Sequence, residues 1–227
     1  MGVLKGYENI ANAIEYRQNI VNPEYFEAFQ IQLFNLINEA YCIIKTDEPI
    51  DDLPEETTIS IALFEALKLI TLKKSIPLTI TPERHEISDK ISLGIEKSIS
   101  SKRYDIYFEN WESKRRIEFG VEAKLLIENN INNKRASTLI HEYISDAGMG
   151  KFINRIYEKR GCMIGYIVEG SIANIVLKIN QQVSKTLSNE QCLVMENNPQ
   201  YNASEIYKSK HKGKLEYDLF HLMLDFN

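Results

Sequence analysis

Apolar positions along this chain change period twice, and the changes separate helical stretches from extended ones. Residues 7–21 form a short helical candidate. Pro23 suits the first turn of a second helix. After it Phe26, Phe29, Leu33, Phe34, Leu36, Ile37, Ala40 and Tyr41 recur at helical spacing. Residues 47–54 are acidic and contain proline, which reads as a loop. A strong helix is predicted over residues 54–73, with Ile59, Leu63, Leu67 and Ile70 in one stripe. Glu55 and Glu56 fall in its first turn, where the helix dipole favours carboxylates.

The middle of the chain switches to alternation. Residues 76–80, bounded by prolines, read as a strand, and residues 88–102 as a polar loop. Residues 103–109 and 116–126 alternate cleanly, and the polar segment 110–114 between them suits a hairpin connection. Helical character is predicted again over 145–159 and stopped by Gly161. Residues 162–168 are continuously apolar, as in a buried strand. A helix over 172–187 and strands over 205–210 and 215–226 complete the order. The expected fold is α/β: a mixed sheet flanked by helices over residues 55–227, with a helical N-terminal extension over 1–54.

Composition narrows the class. The chain has 227 residues, 44% of them hydrophobic, enough for a substantial core. No apolar run is long enough for a membrane span, and the N-terminal residues lack the apolar stretch of a secretory signal. Gly6 stands where a myristoylation pattern wants Ser or Thr. Cys42, Cys162 and Cys192 are odd in number and far apart, which fits neither a disulfide framework nor a zinc site. A reducing cytoplasm is the expectation. The net charge of −5 argues against nonspecific coating of nucleic acid but is compatible with a local basic groove.

Candidate chemistry lies in the alternating segments. In 116–126, period 2 puts Ile117, Phe119, Val121, Ala123 and Leu125 on one face and Glu118, Gly120, Glu122, Lys124 and Leu126 on the other. In 103–109, Tyr104, Ile106 and Phe108 form the apolar side, with Asp105 and Tyr107 opposite. A hairpin would bring Asp105 beside Glu122. Two neighbouring carboxylates repel unless a cation lies between them, and oxygen donors suit Mg²⁺ or Mn²⁺. Asp105 and Glu122 are thus candidate metal ligands, and Lys124 is a candidate to orient a water or to neutralise charge on a phosphate. The acid-x-Lys triplet occurs a second time, at Glu112-Ser113-Lys114, inside the predicted turn. A surface ion pair on a sheet face is the competing structural explanation of the first.

Asp105, Glu122 and Lys124, with the order of elements from 54 to 168, resemble the PD-(D/E)XK nuclease superfamily, the restriction-endonuclease-like fold. The motif's proline is Tyr104 here. The strings around 143–152, 161–166, 207–211 and 219–226 also resemble restriction-like nucleases of bacterial defence loci. The resemblance implies a Mg²⁺-dependent endonuclease acting on DNA in restriction or anti-phage defence. It also implies a homodimer and a partner protein of a defence system. A further acid on the first core helix is implied: Glu56, with Glu55 and Glu65 as competitors. A catalytically silent nucleic-acid-binding or assembly subunit of the same fold, or a ribonuclease, stays open.

Other positions carry candidate chemistry beside these. Lys210, His211 and Lys212, with Lys208 and Lys214, form a basic cluster suited to phosphate contact or to a solvated turn. Arg115, Arg116, Lys134 and Arg135 are similar. His221 lies in an apolar strand, as a core histidine does. Gly148 and Gly150 precede a predicted helix and could offer N–H groups to a phosphate.

Overall fold

A computed structural model describes residues 23–47, 54–85, 103–112, 115–154, 160–202, 205–212 and 216–227. The helix expected over 7–21 and the loop over 88–102 lie outside these. The elements are helix α1 (Pro23–Asp47), α2 (Glu56–Lys73), strands β1 (Thr79–His85), β2 (Arg103–Glu112) and β3 (Arg115–Ile127), helices α3 (Ala136–Ile144) and α4 (Gly150–Ile153), strand β4 (Gly161–Glu169), helix α5 (Ile172–Thr186), a 3-10 turn (Asn189–Gln191), and strands β5 (Val194–Met195), β6 (Ile206–Lys212) and β7 (Glu216–Asp225). The seven strands form one mixed sheet in the order β1-β2-β3-β4-β7-β6-β5. The pairs β3–β4 and β4–β7 are parallel, and the others are antiparallel.

Helices cover both faces. On one face Leu33, Phe34 and Ile37 of α1 and Ile59, Leu63 and Leu67 of α2 pack on Phe119, Val121 and Ala123 of β3. On the other, Tyr143 of α3 and Ile175 and Ile179 of α5 pack with Leu126, Met163 and Ile167. This accounts for the unbroken burial of β4 from Cys162 to Val168: a parallel strand covered on both sides has no wet face. Helix α1 belongs to the main core. The Phe34 ring lies 5.9 Å from that of Phe119 and 5.5 Å from that of Phe220, bridging β3 and β7. Tyr41 Oη and Lys45 Nζ donate to the Asp225 carbonyl at 2.6 and 2.7 Å. Among the described residues no helix is long and apolar enough to cross a membrane.

Two expectations are corrected. The first strand runs from Thr79 to His85, not 76–80, and passes through Pro82. Proline lacks the ladder donor, and β1 tolerates it as an edge strand. The helix expected over 145–159 is displaced: its main body is α3, with Ala136, Ile140, Tyr143 and Ile144 buried at helical spacing. After it the chain turns tightly, since Met149 N–H bonds Tyr143 O at 2.8 Å and Gly148 N–H bonds Ser145 O at 2.9 Å. Only the single turn of α4 follows within the described residues.

A chain of polar groups runs through the second core cluster. The Gln191 amide donates to His211 Nδ1 at 3.0 Å, which makes Nε2 the protonated nitrogen of that ring. His211 Nε2–H then donates to Ser209 Oγ at 2.7 Å, and the Ser209 hydroxyl donates to His221 Nε2 at 2.8 Å. This leaves His221 Nδ1–H to donate to Tyr143 Oη at 2.8 Å. Each ring is therefore satisfied in its neutral form. Burial pushes His211 down to about 4, against a weaker upward pull from Asp218. Burial, with His211 beside it, pushes His221 down to about 3.

Both findings are testable. Phe34→Ala should cost about 3–5 kcal/mol of stability in urea unfolding, the range for a buried aromatic lost from a core; a loss near zero would detach α1 from it. The histidine rings should make the protein acid-sensitive. Below the ordinary histidine value of 6.5 the unfolded chain takes protons that the folded one refuses, so stability is complete above that pH and falls as pH drops toward the folded values. Replacing His221 with Gln should flatten the stability profile between pH 6 and pH 4.5, by up to about 1.4 kcal/mol per pH unit. Parallel profiles for the two proteins would refute the assignment.

Candidate active site

Strands β2 and β3 pair in register from Glu112 opposite Arg115 to Ile106 opposite Val121. Beyond Val121, β3 continues with β4 on its other side, Glu122 opposite Met163 through Leu125 opposite Tyr166. On the side where the β2–β3 ladder has stopped, side-chain carboxylates take the main-chain donors of β3. Ala123 N–H donates to Asp105 Oδ2 at 2.6 Å, and Leu125 N–H donates to Glu56 Oε2 at 3.1 Å. Inside a fold such donors must find acceptors. Here two acids from different elements supply them, and are fixed beside Glu122 and Lys124 as a result.

Alternation holds for β3. Ile117 to Leu125 at odd positions enter the α1–α2 core, and Glu122 is on the opposite face, fully buried. It fails at one position of β2. The Tyr104 ring, expected with Ile106 and Phe108, lies in the other core cluster, 5.5 Å from the Tyr107 ring. Gly120 makes room for it: a Cβ there would stand 2.0 Å from a Tyr104 ring carbon.

Charges then interlock. Lys124 Nζ donates to the Ala123 carbonyl at 2.6 Å, lies 3.1 Å from Glu56 Oε1 and lies 3.0 Å from Glu122 Oε1. A second ammonium, that of Lys151 on α4, reaches the same Glu122 oxygen at 2.5 Å. Burial pushes the Asp105 carboxyl up to about 6, and the Glu122 charge adds to this against Lys124 and the Ala123 N–H. For Lys124, burial works toward neutrality, but the carboxylates of Glu122, Glu56 and Asp105 outweigh it and hold the ammonium above its ordinary range. Lys124 is thus a fixed cation and hydrogen-bond donor rather than a base. Tyr166 Oη, 3.1 Å from Ser60 Oγ, ties β4 to α2 one turn beyond Glu56.

Of the three helix acids considered, Glu56 is the one in this cluster. Glu55 pairs with Lys134 at 3.0 Å, and Glu65 with Lys68 at 3.3 Å. Lys210, His211 and Lys212 stand elsewhere, on β6, which is separated from β3 by β4 and β7. His211 is 1% exposed and its ring belongs to the histidine chain, so it is turned away from any phosphate. Lys212 pairs with Glu190 at 2.6 Å, and Lys210 is exposed. Arg116 is bonded to Glu109 and Glu118. The N–H groups of Gly148 and Gly150 are both spent on Ser145 O at 2.9 Å, which corrects the expectation that they face a phosphate. The second triplet, at Glu112, is only partly described; its Ser113 and Lys114 lie outside.

Lys151 escaped the sequence reading as a site residue. The available signal was its place directly after the two glycines. A Cβ on Gly148 would lie 2.2 Å from Tyr143 O, and one on Gly150 2.6 Å from Ser145 O. The glycines therefore permit the tight turn that carries Lys151 to Glu122.

Among the described residues, no three His, Cys, Asp or Glu side chains form a metal-holding group. The donors gathered here are oxygens: the carboxylates of Asp105 and Glu122 and the Ala123 carbonyl. That set suits a hard cation that keeps several waters, and does not suit zinc. No known protein family and no curated protein matches the chain in sequence.

The turn gives a direct test. Gly148→Ala should lower stability by about 1–3 kcal/mol in urea unfolding, the usual cost of forcing atoms into a packed site. Glu142→Ala, in the last turn of α3 and exposed, should change it by about 0.5 kcal/mol or less. Equal effects would show that the turn does not need glycine.

Proposed function

We propose that this protein is a Mg²⁺-dependent endonuclease of the PD-(D/E)XK, restriction-endonuclease-like type, hydrolysing phosphodiester bonds of DNA in bacterial restriction or anti-phage defence. One observation carries the reading: Asp105, Glu122, Lys124 and Glu56, from β2, β3 and α2, meet where the β2–β3 ladder stops. A structural ion pair needs two charges. This cluster concentrates three carboxylates and two ammonium groups around one largely buried point, and groups perturbed as Asp105 and Lys124 are collect at functional sites.

The roles follow from the environments. Asp105 and Glu122 would hold the cation, Mg²⁺ or Mn²⁺, which when bound supplies Lewis acidity at the scissile phosphate. Lys124, kept protonated by its three acids, donates hydrogen bonds to the phosphate oxygens as negative charge builds on them. Glu56 anchors Lys124 through one oxygen and β3 through the other, so the ammonium cannot drift. The net charge of −5 leaves little general attraction for a polyanion. Productive DNA binding would then draw on a second protomer or a partner protein of a defence system.

The test is cleavage of plasmid, linear DNA and RNA with Mg²⁺ or Mn²⁺ and with EDTA, alone and with candidate partners. DNA cleavage should require metal. Glu122→Gln and Lys124→Ala should each reduce it by roughly 10²–10³-fold, as loss of a charge-stabilising group does, while the variants keep the wild-type circular dichroism. Activity surviving in both folded variants would refute the site. Metal-dependent cleavage of RNA alone would reassign the substrate, and binding without cleavage would point to a silent assembly subunit.

A further inference from the structure

We propose that Lys151 is the built-in counter-ion of Glu122, which a divalent cation must displace in order to bind. The proposal rests on the metal-dependent reading above and adds a competition to it. Glu122 is fully buried, and a buried carboxylate without a partner is strongly unfavourable. In the metal-free protein its Oε1 carries two ammonium groups, Lys124 at 3.0 Å and Lys151 at 2.5 Å. A cation on this carboxylate would be a third positive centre at the same place.

The two lysines differ in how they are held. Lys124 is on the same strand as Glu122 and is tied also to Glu56 and to the Ala123 carbonyl. Lys151 arrives from α4, a single turn beyond the Gly148–Gly150 corner, and its side chain is 22% exposed against 12% for Lys124. It comes from a different element, so its displacement would leave the ties of Lys124 to Glu56 and to the Ala123 carbonyl in place. The charges agree: Asp105, Glu122 and Glu56 against Lys124 and Lys151 leave one net negative charge, and departure of Lys151 leaves two, matching a divalent ion. Lys151 thus holds the site near neutrality before the metal arrives.

The test is calorimetric titration of Mn²⁺ into the purified chain without nucleic acid, for wild type, Lys151→Met, Lys151→Gln and Lys134→Met. Lys134 is the control because it is paired with Glu55, next to Glu56, and not with Glu122. Removing Lys151 should tighten Mn²⁺ binding roughly tenfold, through loss of a competing charge at contact distance. The control should change it by about twofold or less, through distant charge alone. A lysine that merely braced the fold would on removal weaken binding or leave it unchanged, and either result, or an equal gain in Lys134→Met, overturns the proposal. The Gln variant must agree with Met, and both must unfold cooperatively in a thermal scan. Binding that persists in Glu122→Gln, or no binding heat in any variant, overturns the metal reading as well. Binding of equal strength in wild type and the Lys151 variants that disappears in Glu122→Gln overturns the exchange alone.

Discussion

Two main-chain N–H groups on one edge of β3 decide where the charged residues of this protein stand. Ala123 and Leu125 lose β2 as a partner after Val121, and a buried unbonded amide is costly enough that something must take its place. Asp105 and Glu56 do so. Their carboxylates are thereby fixed at the strand rather than free to turn to water, and Lys124 is drawn to them. The early end of one ladder is therefore the structural cause of the cluster, and the charges are its consequence.

Burial gives those charges their character. At an exposed surface the same pairs would be weak and screened. Here desolvation raises Asp105 toward neutrality, while the acids around Lys124 hold its proton. Neighbouring groups thus respond in opposite senses: the carboxyl is pushed toward its neutral form and the ammonium stays a charged donor. The histidine chain on the same side of the sheet shows the alternative outcome: among the described residues no carboxylate is bonded to either ring, and both are held neutral.

Much of this was legible in the sequence because it depends on period and spacing. Alternation in 116–126 places Glu122 and Lys124 on one face, and the hairpin brings Asp105 to them. The stripe from Ile59 to Ile70 sets the turn on which Glu56 stands. What could not be read depends on where backbone hydrogen bonds run out. Strand β1 crosses Pro82 because it is an edge, which is a property of the sheet rather than of the segment. Helix α3 was obscured by the asparagines before it, although Ala136, Ile140, Tyr143 and Ile144 carry helical spacing. Lys151 was invisible because its reach depends on a turn closed by Tyr143 and Ser145 carbonyls. His211 looked like a surface base among lysines, and only the pairing of β6 with β7 turns it inward.

The position of β7 also bears on how this fold is reached. β4 is paired on one side by β3, close before it in sequence, and on the other by β7, the last of the described strands, with Cys162 opposite Phe220. Helix α1, at the opposite end of the described chain, is fastened to Asp225 of that strand. Contacts so distant in sequence form late and slow the approach to the native state. Until β7 docks, an almost wholly apolar strand has an open edge, the feature that promotes wrong pairing between chains. The strand that backs Glu122 and Lys124 is thus one whose edge stays open until the last described strand arrives.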